Sequence, residues 1–290
     1  MEATELLKKV RKIEIKTRGI SNQVFSGEYH SAFKGRGMAF SEVREYQPGD
    51  DIRAIDWNVT ARFNHPFIKV FEEERELTVM LLVDVSGSED FGTQKQFKKD
   101  IITELCAVLA FSAIKNNDKI GIIFFSDKIE KFIPPKKGKS HILRIIRDLI
   151  EFKPSSKRTN IEQALRYFTN VVKKRSISFL ISDFMSEGFS EALKITNKKH
   201  DLVALRIYDK REHELPDMGL IKLLDAETGK HKWVDTSSHQ VRVHYLAAAK
   251  KREAELRDLF NKCGIDNTSI GTHEPYIQPL MNLFKMRNSR

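Results

Sequence analysis

Residues 77–88 read Leu-Thr-Val-Met-Leu-Leu-Val-Asp-Val-Ser-Gly-Ser, and Thr78 alone among the first seven is polar. A run of this length and apolarity predicts a strand buried on both faces, as in the middle of a parallel sheet. It stops at Asp84, and hydroxyls follow at alternate positions, Ser86 and Ser88. A buried strand ending this way delivers three oxygen donors to the carboxyl edge of a sheet. In open α/β folds, ligands bind at that edge. Hard oxygen donors suit Mg²⁺ or Mn²⁺ rather than zinc.

Further apolar runs follow at 120–126, 177–182 and 202–208, with a short one at 129–133 closed by Pro134-Pro135. Between them the apolar period changes to that of helices. Phe97, Ile101, Leu105, Val108, Leu109 and Ser112 form one stripe, and 140–151, 161–172 and 189–198 are helical in pattern. Strands alternating with helices predict an α/β fold: a mainly parallel sheet with helices on both faces. Residues 219–235 suggest a hairpin with its turn near 227–230. A charged helix over 238–262 is stopped by Gly264, and a last strand (267–271) and helix (276–286) follow.

The chain before residue 76 has a different texture. Residues 2–13 carry a helical apolar face, and 14–38 are broken by glycines. Gly35-Arg36-Gly37 follows no buried strand and lacks a third glycine at dinucleotide-loop spacing. From Phe40 to Phe63, charges and large apolar residues alternate closely around a Pro48-Gly49 turn. Arg44, Arg53, Arg62, Glu42, Asp51 and Asp56 fit either a buried ion network or surface pairs worth little. Residues 65–76 look like a short strand. The expected organisation is a smaller β-rich N-terminal segment, 1–75, and a main domain, 76–290.

Composition excludes some classes. Hydrophobic residues make up 40% of the 290 and charged residues 31%. No apolar run approaches the roughly 18 residues a membrane helix needs, and the N-terminus lacks the apolar core of a signal peptide. Two cysteines without a disulfide pattern suit a reducing, cytoplasmic setting. The formal charge of +10, 50 basic against 40 acidic, admits nucleic acid or an acidic protein. The basic residues are scattered in pairs such as Lys98-Lys99 and Lys198-Lys199, as on solvated helix faces. The nine histidines are scattered too, and the His213-Glu214 start of a zinc motif meets Asp217 where a second histidine is needed.

Two later residues fall where the same sheet edge would present them: Thr159, before a helix, and Asp183, at the end of the 177–182 run. Asp84, Ser86, Ser88, Thr159 and Asp183 therefore make a candidate Mg²⁺ (or Mn²⁺) site. Its open position would take a carboxylate from a partner protein. Each residue also has a plain alternative. The serines can form turns, Asp183 can cap a strand end, and Thr159 with Glu162 spells a capping box. A phosphatase using Asp84 as nucleophile needs a second acid two residues on, and that position is Ser86. A two-metal nuclease wants three or four carboxylates, where only two are evident. No catalytic residues are assigned, and a binding module is the expectation, with a metal-dependent hydrolase as its alternative.

The order Asp-x-Ser-x-Ser, Thr, Asp over residues 76–210 resembles a von Willebrand factor A-type domain with its metal-ion-dependent adhesion site, and this resemblance implies a doubly wound sheet. The segments 40–51 and 55–62 resemble the bacterial Domain of Unknown Function 58 family. Members of that family are usually encoded beside MoxR-type AAA+ ATPases and are thought to work with them in maturing or assembling other protein complexes. The resemblance therefore implies a protein partner, a MoxR-type ATPase or its client, and a structural role for the charges of 40–62.

Overall fold

The computed structural model describes residues 10–14, 16–17, 39–72, 77–87, 97–224, 229 and 231–288. Contacts divide the chain into two compact units, Phe33–Leu77 and Met1–Ala32 with Thr78–Arg290. The smaller unit begins at Phe33 and not at the first residue, as the sequence suggested. Lys16 is ion-paired to Glu104 at 2.6 Å and Glu14 to Lys139 at 2.8 Å, which ties the helical residues 10–14 and 16–17 into the larger unit. The rest of the expected helix 2–13, the glycines at 19, 27, 35 and 37, and the expected boundary at 76 lie outside the described residues.

In the smaller unit, β1 (Ala39–Glu45) pairs antiparallel with β2 (Phe67–Glu72), and α1 (Trp57–Phe63) lies between them in the chain. Arg44, Asp50, Asp51 and Asp56 are spent on turns and caps. Arg44 forks onto Asp50 at 2.7 and 2.9 Å, and Asp50 also accepts from the Gln47 N–H at 2.8 Å. These bonds, the Arg44 bond first, hold the Asp50 carboxyl below the usual range. Asp51 accepts from the Arg53 N–H, and Asp56 caps α1 through the N–H groups of Asn58 and Val59. α1 contains no buried residue, so the buried-network alternative does not hold there.

In the larger unit the elements run β3 (Thr78–Asp84), α2 (Lys98–Lys115), β4 (Lys119–Phe125), β5 (Ile129–Lys136), α3 (Lys139–Glu151), α4 (Ile161–Val171), β6 (Ile177–Ser182) and α5 (Ser190–Lys199). Then come β7 (Asp201–Tyr208), the hairpin β8 (Leu220–Leu224) and β9 (His231–Asp235), α6 (His239–Cys263), β10 (Asp266–Gly271) and α7 (Ile277–Asn288). The hairpin's turn falls largely outside the described residues, with only Gly229 described between the strands. Six strands form one sheet in the order β10-β7-β6-β3-β4-β5. All neighbours are parallel except β4 and β5. This is the expected doubly wound, mainly parallel α/β sheet with helices on both faces.

The alternation of each strand feeds two cores. Met80, Leu82, Leu180, Leu202 and Ala204 meet Ile161, Leu165 and Phe168 of α4, Leu193 of α5 and Phe260 of α6. On the other face Phe179 packs edge-on against Phe284 of α7. Two local expectations needed revision. β5 continues through Pro134 and Pro135, because it is an edge strand and the ladder shifts register there. Gly121 permits that approach: a Cβ on it would lie 2.8 Å from both Met80 Sδ and Pro135 N. Nor does α2 have only one apolar stripe. It is buried continuously from Ile101 to Ala113, and Glu104 within that run pairs with Lys16.

Candidate metal centre

β3 pairs with β4 on one side and β6 on the other, so the chain reverses its winding between β3 and β6. In open α/β sheets the crevice outside the carboxyl ends at such a switch point is the ligand site. β3 ends there in Asp84, and β6 ends in Ser182 followed by Asp183.

Asp84 is buried. Its Oδ1 accepts from the Ser86 N–H at 3.0 Å, and its Oδ2 accepts from the Ser182 hydroxyl at 2.7 Å. Burial and then repulsion from Asp183 push its carboxyl up to about 7, against the lowering effect of Ser182 and Ser86. Ser86 is buried beside it. Ser88, and the Glu89-Asp90 pair after it, lie outside the described residues.

Asp183 is also buried. Its Oδ1 accepts from the Met185 N–H at 3.1 Å, and its Oδ2 lies 3.1 Å from the Lys98 ammonium. The loop turns sharply here, with Phe184 in the left-handed region at φ 58. The turn is held by the Phe184 N–H donating to Ser182 Oγ and by the Phe184 ring packing edge-on against Phe260 at 5.1 Å.

Thr159 arrives on a loop tied to the same edge. The Gly87 N–H donates to the Lys157 carbonyl at 3.0 Å, and the Asn160 N–H donates to that of Ser126 at 2.9 Å. The capping box of Thr159 and Glu162 is not formed. Asn160 caps α4 instead, accepting from the Gln163 N–H at 2.9 Å, and Glu162 pairs with Arg166. This leaves the Thr159 hydroxyl oxygen buried with no hydrogen-bond partner among the described residues. Buried polar atoms are rarely left so. An orphaned hydroxyl, together with hard carboxylate and hydroxyl donors at one sheet edge, fits a Mg²⁺ or Mn²⁺ ion.

Sequence reasoning missed three contributors. Ser182 was read only as part of a buried strand. Lys98 was grouped with solvated basic residues, yet it is fully buried and contacts Asp183 and Glu212. Glu212 ends a one-turn 3-10 helix, Lys210–Glu212, where it forms a capping box with Asp209. Glu212 raises the carboxylates at this edge from the expected two to three, and burial raises its pKa, with Lys98 opposing. No local pattern marks Lys98 or Glu212, because their partners are distant in the chain. Among the described residues, no three of His, Cys, Asp and Glu converge to hold an ion by themselves. His213 belongs to another network, 3.2 Å from the Arg206 guanidinium.

An uncharacterised protein of Mycobacterium tuberculosis, Rv1480, is 27% identical over 283 residues, covering 96% of this chain and 88% of its own length. The uncharacterised protein YeaD of Bacillus subtilis is 28% identical over 131 residues, 45% of this chain and 29% of its own. Among solved structures, BatB of Bacteroides thetaiotaomicron aligns over 74% of this chain and 100% of its own, with 14% identity and a TM-score of 0.45. Proximal thread matrix protein 1 of the mussel byssus, solved with a zinc-occupied MIDAS motif, aligns over 46% of this chain and 38% of its own, with 19% identity and a TM-score of 0.36. The family described as protein of unknown function DUF58 matches residues 42–255, and the chain belongs to it.

Proposed function

We propose that this chain is a protein-interaction module gated by a divalent cation. Asp84, Ser86, Ser88, Thr159 and Asp183 would hold Mg²⁺ or Mn²⁺, and a bound ion supplies a Lewis-acidic position for a partner's carboxylate. The single observation that supports this best is the buried Thr159 hydroxyl without a partner, on the loop bonded to Gly87. The protein's own part is to bury Asp84 and Asp183 at the winding reversal and to fix their orientation through Ser182, Ser86 and Met185. No catalytic step is assigned. No second acid sits two residues after Asp84, as an aspartyl phosphatase requires, since that residue is Ser86.

The proposed partner is a MoxR-type AAA+ ATPase or its client, acting with this chain in the maturation or assembly of other complexes in the cytoplasm. Among the described residues no helix is long and apolar enough to cross a membrane. The test is direct binding of a purified MoxR-type ATPase from the same genome to wild-type and Asp84→Ala protein, each with Mg²⁺ and with chelator. Binding by the wild type with Mg²⁺ alone is expected. Equal binding in all four conditions would remove the metal from the function.

A further inference from the structure

Lys98 is the first residue of α2 and is fully buried. Its ammonium lies 3.1 Å from Asp183 Oδ2 and also contacts Glu212 Oε1. A buried ammonium is tolerated only when it is paired, and Lys98 is paired with two carboxylates from different parts of the chain. One of these is the carboxylate that a divalent ion at this edge would draw upon. Ammonium and divalent cation therefore compete for Asp183. Asp183 and Glu212 set two carboxylates against the single ammonium.

We propose that Lys98 is a tethered counter-cation that sets the affinity of the metal centre. It neutralises Asp183 when no divalent ion is bound, and Glu212 retains the ammonium when the ion takes Asp183. The inference rests on the metal-site reading above, with Lys98 and Glu212 as positioning residues and not as ligands. Two consequences run in opposite directions. Without the ammonium, Asp183 is free and the ion binds more tightly. Without Glu212, the ammonium loses one of its carboxylates and leans more on Asp183, and the ion binds more weakly.

The experiment is titration of the full chain with Mg²⁺ and with Mn²⁺ by calorimetry, checked by Mn²⁺ paramagnetic resonance. The proteins are wild type, Glu212→Gln, Lys98→Met and the double variant Lys98→Met/Glu212→Gln. The double variant removes one charge of each sign, so the net charge of the edge is unchanged, and Asp183 keeps the Met185 N–H when it loses the ammonium. The expected result is about tenfold tighter binding in the double variant and about tenfold weaker binding in Glu212→Gln, or ~1.4 kcal/mol each way. Equal affinity in wild type, Glu212→Gln and the double variant would overturn the role of Lys98 and leave the metal site standing. No ion bound by any of the proteins would overturn both.

Discussion

The Ser182 hydroxyl donates to Asp84 Oδ2 at 2.7 Å, joining the ends of β6 and β3 across the reversal of the sheet. The same oxygen accepts from the Phe184 N–H at 3.0 Å, so one side chain fixes both the carboxylate and the left-handed turn after it.

Ser182→Ala removes both bonds inside a buried site. It should destabilise the chain by about 1–3 kcal/mol, read from the urea midpoint at constant m-value. A cost near zero would mean that water takes over the hydroxyl's role.

Thr159→Val should behave oppositely. The hydroxyl has no hydrogen bond within the described chain, so removing it should change stability by less than about 0.5 kcal/mol. Mg²⁺ affinity should fall about tenfold, or ~1.4 kcal/mol, in the same titration used for Lys98. An unchanged affinity would take Thr159 out of the ligand set.

Gly121→Ala should be costly although it adds only a methyl group. The new Cβ would meet Met80 Sδ and Pro135 N at 2.8 Å and the Ile133 carbonyl at 2.9 Å, and two of these three neighbours are backbone. Overpacking of this kind costs about 1–3 kcal/mol. Thermal unfolding would read it as a Tm several degrees lower, and a Tm equal to wild type would show that the β5 edge yields.

Acid should weaken the fold through His200. This ring is buried, bonded through Nδ1 to Ser176 at 3.0 Å and packed on Phe168, and its Nε2 has no partner among the described residues. Burial, then the charges of Lys199 and Arg175, lower its pKa to about 4. Between the ordinary value near 6.5 and about 4, the unfolded chain takes a proton that the folded chain refuses. Stability is therefore full above about 6.5 and is lost as pH falls toward about 4, by up to roughly 3 kcal/mol. Urea unfolding at pH 7.5 and 4.5 would measure the loss, and His200→Asn should reduce it. An equal loss in His200→Asn would assign the acid sensitivity to other groups.

The sequence by itself determined the strands of the sheet and the positions of Asp84 and Asp183. An apolar run such as 77–83 has no stable place except the interior of a sheet, and Asp84 must then lie at that strand's carboxyl end. The alternation of such runs with helical patterns pointed to a mainly parallel sheet with helices on both faces, and the glycine at 264 stopped α6 as its backbone freedom allows. Tertiary structure alone decided which side chains complete the site. Thr159 and Asn160 both look like helix caps in sequence, and packing gave the cap to Asn160 and left the Thr159 hydroxyl unpartnered. Lys98 reads as one of many surface lysines until α2 is buried on every side and brings its ammonium to Asp183, 85 residues away. Local patterns record which face of an element is apolar. They do not record which distant charge will neutralise a buried one, because that pairing exists only once the sheet has brought the strand ends together.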